Sequence, residues 1–114
     1  MELAIYLLRF SAALTMVSYG INQLANPQGW LSYVPAGIQR MLPEKPTTFM
    51  RTHALGNLVF GIWLASGLFP FVAAVVAAIW WLTILPFAFK VKWDIGMRDL
   101  TITAGLVALA ALLH

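Results

Sequence analysis

The stretch "FVAAVVAAIWWLTILPFAF" (residues 71–89) contains no charged residue and decides the fold class. A helix of about 20 mostly apolar residues is long enough to cross the hydrocarbon core of a bilayer. Pro70 precedes the stretch and suits the first position of a helix. We therefore predict a membrane-spanning helix over residues 70–89, and we expect Pro86 to kink it or to end it.

The composition of the whole chain supports the same class. Of its 114 residues, 61% are hydrophobic and 10% are charged, whereas soluble domains carry charges on about a quarter of their residues. We expect the bilayer to be the main partner, and we attribute the net charge of +3 to membrane topology and not to a nucleic-acid partner. The absence of cysteine excludes disulfides, thiolate catalysis and cysteine-ligated clusters.

Three further apolar stretches are long enough to cross a membrane. We predict an all-α, integral membrane four-helix bundle that forms one domain over residues 1–114. Thr47 or Thr48 is expected to cap the second span, and Asp94 the fourth. The short "SGLFP" connection (residues 66–70) makes the second and third spans antiparallel neighbours. The predicted spans are 3–24, 48–67, 70–89 and 97–113.

The loop between the first two spans, residues 26–46, is predicted to contain an interfacial segment. Its sequence "WLSYVPAGIQRML" (residues 30–42) combines aromatic and aliphatic residues with a break at Pro35. Two interpretations stay open, an amphipathic strap packed on the end of the bundle and a gate for substrate or lipid. We also expect Trp80, Trp81 and Trp93 to lie in interface belts and to face lipid.

The positive charges predict an orientation. Every Lys and Arg except Arg9 lies in or beside the first and third loops. By the positive-inside rule these loops are cytoplasmic, and both termini lie outside.

Polar residues at the helix ends define a candidate site on the cytoplasmic side. Ionisable groups at membrane depth are unfavourable unless they pair or contact water, so the layer is either a set of structural ion pairs and caps or a ligand site. Arg51 or Arg98 is expected to compensate the Asp99 carboxylate. We expect no metal site, because no third ligand has suitable spacing. The layer consists of Gln23, Arg51, His53, Asn57 and Asp99.

Arg9 is a separate candidate, because it belongs to the outer side of the membrane. It can reach the outer headgroups, with help from Glu2, at a modest free-energy penalty near a helix end. The same position suits contact with an anionic headgroup or with the tail of a buried anionic cofactor. Both interpretations stay open.

Three motifs carry a family resemblance: Arg9 followed by "SYGINQLANP" (18–27), "GNLVFGIWLASGL" (56–68), and "WDIGMRDLTITAGLVALA" (93–110). Together they resemble the DoxX-like family over nearly the whole chain. Position by position, the resemblance marks Arg9, Gly20, Gln23, Asn57 and Asp99. Gln23 stands where the family usually has Lys, and Asn57 where it usually has Glu. An Asn cannot titrate, so any proton-handling role of that carboxylate is lost here.

The resemblance implies a function. Members that give the family its name resemble subunits of a thiosulfate:quinone oxidoreductase. It therefore implies a small integral subunit or scaffold of a redox-linked complex in a bacterial or archaeal inner (cytoplasmic) membrane. It further implies quinone as the cofactor, and an oxidoreductase subunit or a second copy of the chain as the partner. We expect no stand-alone enzymatic activity.

Two alternatives belong to other classes. A four-span transporter of the small multidrug-resistance type would need a membrane-embedded Glu in the first span, where this chain has Arg9. A membrane enzyme acting on a lipid-soluble substrate would use Asp99, His53 and Arg51 as an acid–base set.

Overall fold

The computed structural model describes residues 2–34, 36–41 and 45–114, and these are almost entirely helical, without a β-strand among them. This confirms the all-α prediction. The predicted count of four helices is not confirmed, because the described residues form five α-helices, two of them separated by a 3-10 helix. The elements are α1 (Glu2–Ala25), the 3-10 helix (Gln28–Tyr33), α2 (Ala36–Met41), α3 (Pro46–Ser66), α4 (Pro70–Val91) and α5 (Trp93–Leu113).

Three of these helices, α1, α4 and α5, are long and apolar enough to cross a membrane. Helix α3 has 21 residues, as many as α5, but it is not among them because the polar residues Arg51, His53 and Asn57 interrupt its apolar sequence. The longest dimension of the molecule is 44 Å, close to the full thickness of a bilayer with its headgroups, about 40–45 Å. The chain is therefore an integral membrane protein, and a fourth span in α3 stays a prediction.

Two helices begin earlier than the sequence predicted. Lys45 is the N-cap of α3 and Pro46 its first residue, so neither Thr47 nor Thr48 caps it. Lys92 is the N-cap of α5, and Asp94 lies in the first turn, where its Oδ1 accepts a hydrogen bond from the Ile95 N–H at 3.1 Å. The third loop is thus reduced to Lys92, because its other residues continue the helices on either side.

Pro86 does not end α4, which continues to Val91. Proline removes one backbone hydrogen bond, whereas ending the helix within a bilayer would leave several N–H and C=O groups unpaired. In an apolar surrounding, continuing the helix therefore has a lower free-energy cost than ending it.

Small residues allow the helices to approach closely. Helix α1 packs mainly on α3, and α4 mainly on α5. A Cβ added to Gly61 would lie 2.9 Å from Val17 Cγ2, and one added to Gly20 would lie 2.9 Å from the Ala54 carbonyl oxygen. Such contacts stabilise helix pairs in membranes, where burial from water contributes little. Helix α4 buries a matching small face of Ala73, Ala74, Ala77 and Ala78.

The segment between α1 and α3 packs on the end of the bundle. The 3-10 helix contacts α3 and α4, and the Trp30 ring centroid lies 5.3 Å from that of Tyr19. Gln39 Nε2 donates hydrogen bonds to the carbonyl oxygens of Leu31 (3.0 Å) and Val34 (2.9 Å). This geometry fits the strap interpretation; Pro35, the predicted break, lies outside the described residues.

Candidate functional site

A cavity of about 360 Å³ lies inside one end of the bundle. The four long helices (α1, α3, α4 and α5) and the segment between α1 and α3 all contribute to its wall, which is mostly aromatic and aliphatic with a few polar side chains. We call this end, where α1 and α4 finish and α3 and α5 begin, the cavity end. The lining residues are Tyr19, Gln23, Trp30, Val34, Phe49, Met50, His53, Asn57, Trp81, Ile84, Phe87, Ala88, Ile95, Arg98 and Asp99.

The structure brings together four of the five residues of the predicted polar layer. Gln23, His53, Asn57 and Asp99 line the cavity. Arg51 does not, because its exposed side chain lies at a separate surface depression formed with residues 25–28 and Thr47. An acid–base set that includes Arg51 is therefore not assembled at this cavity. The chemical roles of the four residues stay predictions.

Two amides and an indole form a hydrogen-bond chain at the wall of the cavity. Asn57 Nδ2 donates to Gln23 Oε1 at 2.9 Å, and Trp80 Nε1 donates to Asn57 Oδ1 at 2.9 Å. Gln23 is 4% exposed and Asn57 1% exposed, so each needs such partners inside the protein. These hydrogen bonds link α1, α3 and α4.

This hydrogen bond joins the two positions at which the sequence departs from the DoxX-like pattern. A Lys–Glu pair at positions 23 and 57 would place two opposite charges in contact. The Gln–Asn pair keeps the contact between α1 and α3 but contains no charge. Either charged residue alone at these positions would be buried without an oppositely charged partner.

Asp99 is compensated by its neighbour in sequence. Arg98 Nε donates to Asp99 Oδ1 at 3.0 Å, and its guanidinium also lies over the Tyr19 ring, 5.4 Å from the centroid. The Asp99 side chain is 5% exposed and that of Arg98 39% exposed, so the pair connects the buried wall with the surface. Of the two partners expected from the sequence, the structure selects Arg98.

His53 lies against the same network. Its imidazole stacks on the Trp80 ring with a centroid separation of 4.9 Å and an interplanar angle of 17°. The stack holds the imidazole beside the cavity, next to the Trp80–Asn57 hydrogen bond. In the described part of the chain, no three His, Asp or Glu side chains lie close enough together to bind a metal ion.

The prediction that Trp80 and Trp81 face lipid is wrong. Trp81 is 3% exposed and lines the cavity, and the half-buried Trp80 points toward Asn57 and His53. The spacing of small residues in α4 indicates that Trp81 faces inward. Ala74 and Ala77 precede Trp81 by seven and four residues, so all three share one helix face, which is the face packed on the rest of the bundle.

Arg9 lies at the opposite end, which we call the turn end because it contains the α3–α4 connection (67–69). A Cβ on Gly67, whose φ is +78°, would lie 3.6 Å from Arg9 Nη1, so the guanidinium packs against the C-terminal end of α3. Its Cζ lies 4.5 Å from the centroid of the Phe10 ring. Arg9 Nε is buried without a hydrogen-bond partner, and the described residues contain no ion pair between Arg9 and Glu2.

The sequence was compared with known families and proteins. The sequence model of the DoxX family matches residues 4–93, a range that contains Arg9, Gly20, Gln23 and Asn57 but ends before Asp99. No curated protein and no solved structure matches the chain. Because the match covers more than half of the residues, the chain belongs to the DoxX family.

Proposed function

We propose that this DoxX-family protein is a small integral membrane subunit or scaffold of a redox-linked complex, and that it binds a quinone-type molecule in the cavity. The observation that carries the proposal is the cavity itself: a largely apolar chamber between long apolar helices, with a few polar side chains in its wall. Such a combination is typical of sites for small apolar molecules that carry a few polar atoms.

The wall has the chemistry that a quinone ring requires. Tyr19, Trp30 and Phe49 are among the aromatic side chains that can pack on a flat ring. The Trp81 indole N–H has no partner among the described residues and is a donor for a ring oxygen. The volume, about 360 Å³, lies at the small end of the range for ligand pockets, about 300–1,000 Å³. It therefore suits a single ring system and not a large cofactor.

The proposal includes α3 as the fourth span and a cytoplasmic cavity end. The charges support this orientation, because all Lys and Arg residues except Arg9 belong to the half of the molecule at the cavity end. A soluble or membrane oxidoreductase subunit, or a second copy of the chain, would then contact the protein beside its ligand. Both termini would lie outside.

The experiment is native mass spectrometry of protein purified in mild detergent, followed by solvent extraction and identification of retained molecules. We expect about one quinone-type molecule per chain, and a co-purifying oxidoreductase from the native membrane. Ala88→Phe should abolish retention, because Ala88 is 4% exposed and lines the cavity.

The matched control is Ala108→Phe, which adds the same ring to an exposed position of α5 and should leave retention unchanged. Wild-type protein that carries only bulk phospholipid would contradict the proposal. Equal retention by the two variants would show that a bound quinone lies outside the cavity.

A further inference from the structure

The indole N–H of Trp81 is a buried hydrogen-bond donor without an acceptor. Trp81 is 3% exposed, and its Nε1 has no hydrogen-bond partner in the described part of the chain. The residue lines the cavity between Tyr19, whose ring centroid is 6.0 Å away, and the apolar side chains of α4. Buried donors in proteins are nearly always paired, so an unpaired one beside a cavity calls for a physical explanation.

The other indoles show that this feature is specific to Trp81. Trp30 donates to Asn22 Oδ1, Trp63 donates to the Leu68 carbonyl oxygen at 2.8 Å, and Trp80 donates to Asn57 Oδ1. Trp93 is 73% exposed and lies at the surface. Trp81 thus combines deep burial, an unpaired donor and a position in the cavity wall.

The neighbouring polar groups do not remove the need for an acceptor. Gln23 Oε1 accepts from Asn57, Asn57 Oδ1 accepts from Trp80, and Asp99 Oδ1 accepts from Arg98, but none of these groups accepts from Trp81 Nε1. An acceptor placed in the cavity would pair with Trp81 without breaking these contacts. A hydrocarbon chain could fill the same space but would leave the donor unpaired.

We propose that Trp81 Nε1 donates a hydrogen bond to a carbonyl or hydroxyl oxygen of the molecule in the cavity, and that this bond makes the site select ring compounds carrying oxygen over hydrocarbon of the same shape. The inference rests on the proposed function, because it names the residue that determines specificity in the same cavity. The role proposed for Trp81 is to bind and orient the molecule in the cavity.

The test compares two ligands on two proteins in detergent. The ligands are a benzoquinone with a short alkyl tail and the corresponding alkylbenzene, which keeps the flat six-membered ring and the tail but lacks the oxygens. Trp81→Phe should weaken benzoquinone binding about three- to tenfold, as expected for loss of one neutral hydrogen bond, relative to its effect on alkylbenzene binding. The ratio of the two changes in affinity removes the effect of replacing the indole by the smaller phenyl ring, because this replacement affects both ligands. Trp93→Phe is the control and should change neither affinity.

A second measurement does not require Trp81→Phe to fold. In protein labelled with 15N-tryptophan, the five indole signals are assigned by Trp→Phe variants, and four successful variants identify the fifth signal. Benzoquinone should move the Trp81 indole proton downfield, and alkylbenzene should not.

The outcomes separate the two proposals. If benzoquinone binds but neither the affinity ratio nor the Trp81 signal changes, the role of Trp81 is overturned while the proposed function stands. If benzoquinone does not bind to the wild-type protein, the proposed ligand class fails and the inference falls with it.

Discussion

The two ends of the bundle differ in how their polar side chains are connected by hydrogen bonds and ion pairs. At the cavity end, the amides and the carboxylate are paired, Asn57 with Gln23 and Trp80, and Asp99 with Arg98. Among the described residues, the Trp81 N–H is the buried donor that this end leaves for a ligand. At the turn end, Arg9 Nε is buried without a hydrogen-bond partner among the described residues, and the side chain packs on Gly67 and the Phe10 ring. One end thus has a polar network that connects several helices around a chamber, and the other has a buried cation outside any such network.

This difference follows from depth and helix direction. Groups enclosed by several helices have no access to water, so they need partners within the protein. Arg9 lies beside the C-terminal end of α3, where the partial negative charge of the helix terminus favours a cation. Changes in charge should therefore have large effects at the cavity end and small ones at the turn end.

The largest effect is expected from restoring charge to one member of the amide pair. Gln23→Lys or Asn57→Glu alone should lower the free energy of unfolding by about 3–5 kcal/mol, because each leaves a buried charge unpaired. The double variant should recover most of the loss, because the two charges would be in contact. The measurement is thermal unfolding of the wild type, the two single variants and the double variant in one detergent, and the four stabilities form a double-mutant cycle. Additive losses in the double variant would contradict the pairing of positions 23 and 57.

An intermediate effect is expected from adding a methyl group to a glycine. Gly20→Ala should destabilise by about 1–3 kcal/mol, because its Cβ would meet the carbonyl oxygen of Ala54, which is backbone and cannot rotate away. Gly67→Ala should lower stability by about 1 kcal/mol, because φ is +78° there. Gly37→Ala is the control, since nothing lies within 4 Å of its added Cβ. If unfolding measurements showed that Gly37→Ala lowers stability as much as Gly20→Ala, the close packing of α1 on α3 would be contradicted.

The smallest effect is expected at Arg9. Arg9→Met should change stability by less than about 1 kcal/mol in phosphatidylcholine nanodiscs, because the described residues contain no ion pair that the substitution would break at Arg9. With phosphatidylglycerol added, the wild type should gain stability relative to Arg9→Met, and Arg9→Lys should gain in the same way. Equal responses of wild type and Arg9→Met to the anionic lipid would exclude a headgroup contact.

The apolar runs were sufficient to predict the class of protein and the positions of its long helices. Their lengths and lack of charge determine membrane insertion without reference to other parts of the chain. Gln23, His53, Asn57 and Asp99 were also predicted as one layer, because successive spans run in opposite directions and bring these helix ends to the same side of the membrane. The helix starts at Pro46 and Trp93 were missed, since caps of one residue carry a weak local signal.

The partners of the polar groups required the tertiary structure. Composition could not show that Gln23 pairs with Asn57, that Asp99 binds Arg98 and not Arg51, or that Trp81 faces inward with an unpaired N–H. These features depend on the rotation of each helix about its axis, which is decided by packing between small faces far apart in sequence. Insertion is a property of each apolar segment and can be predicted from it, whereas a cavity exists only where several packed helices leave a space between them.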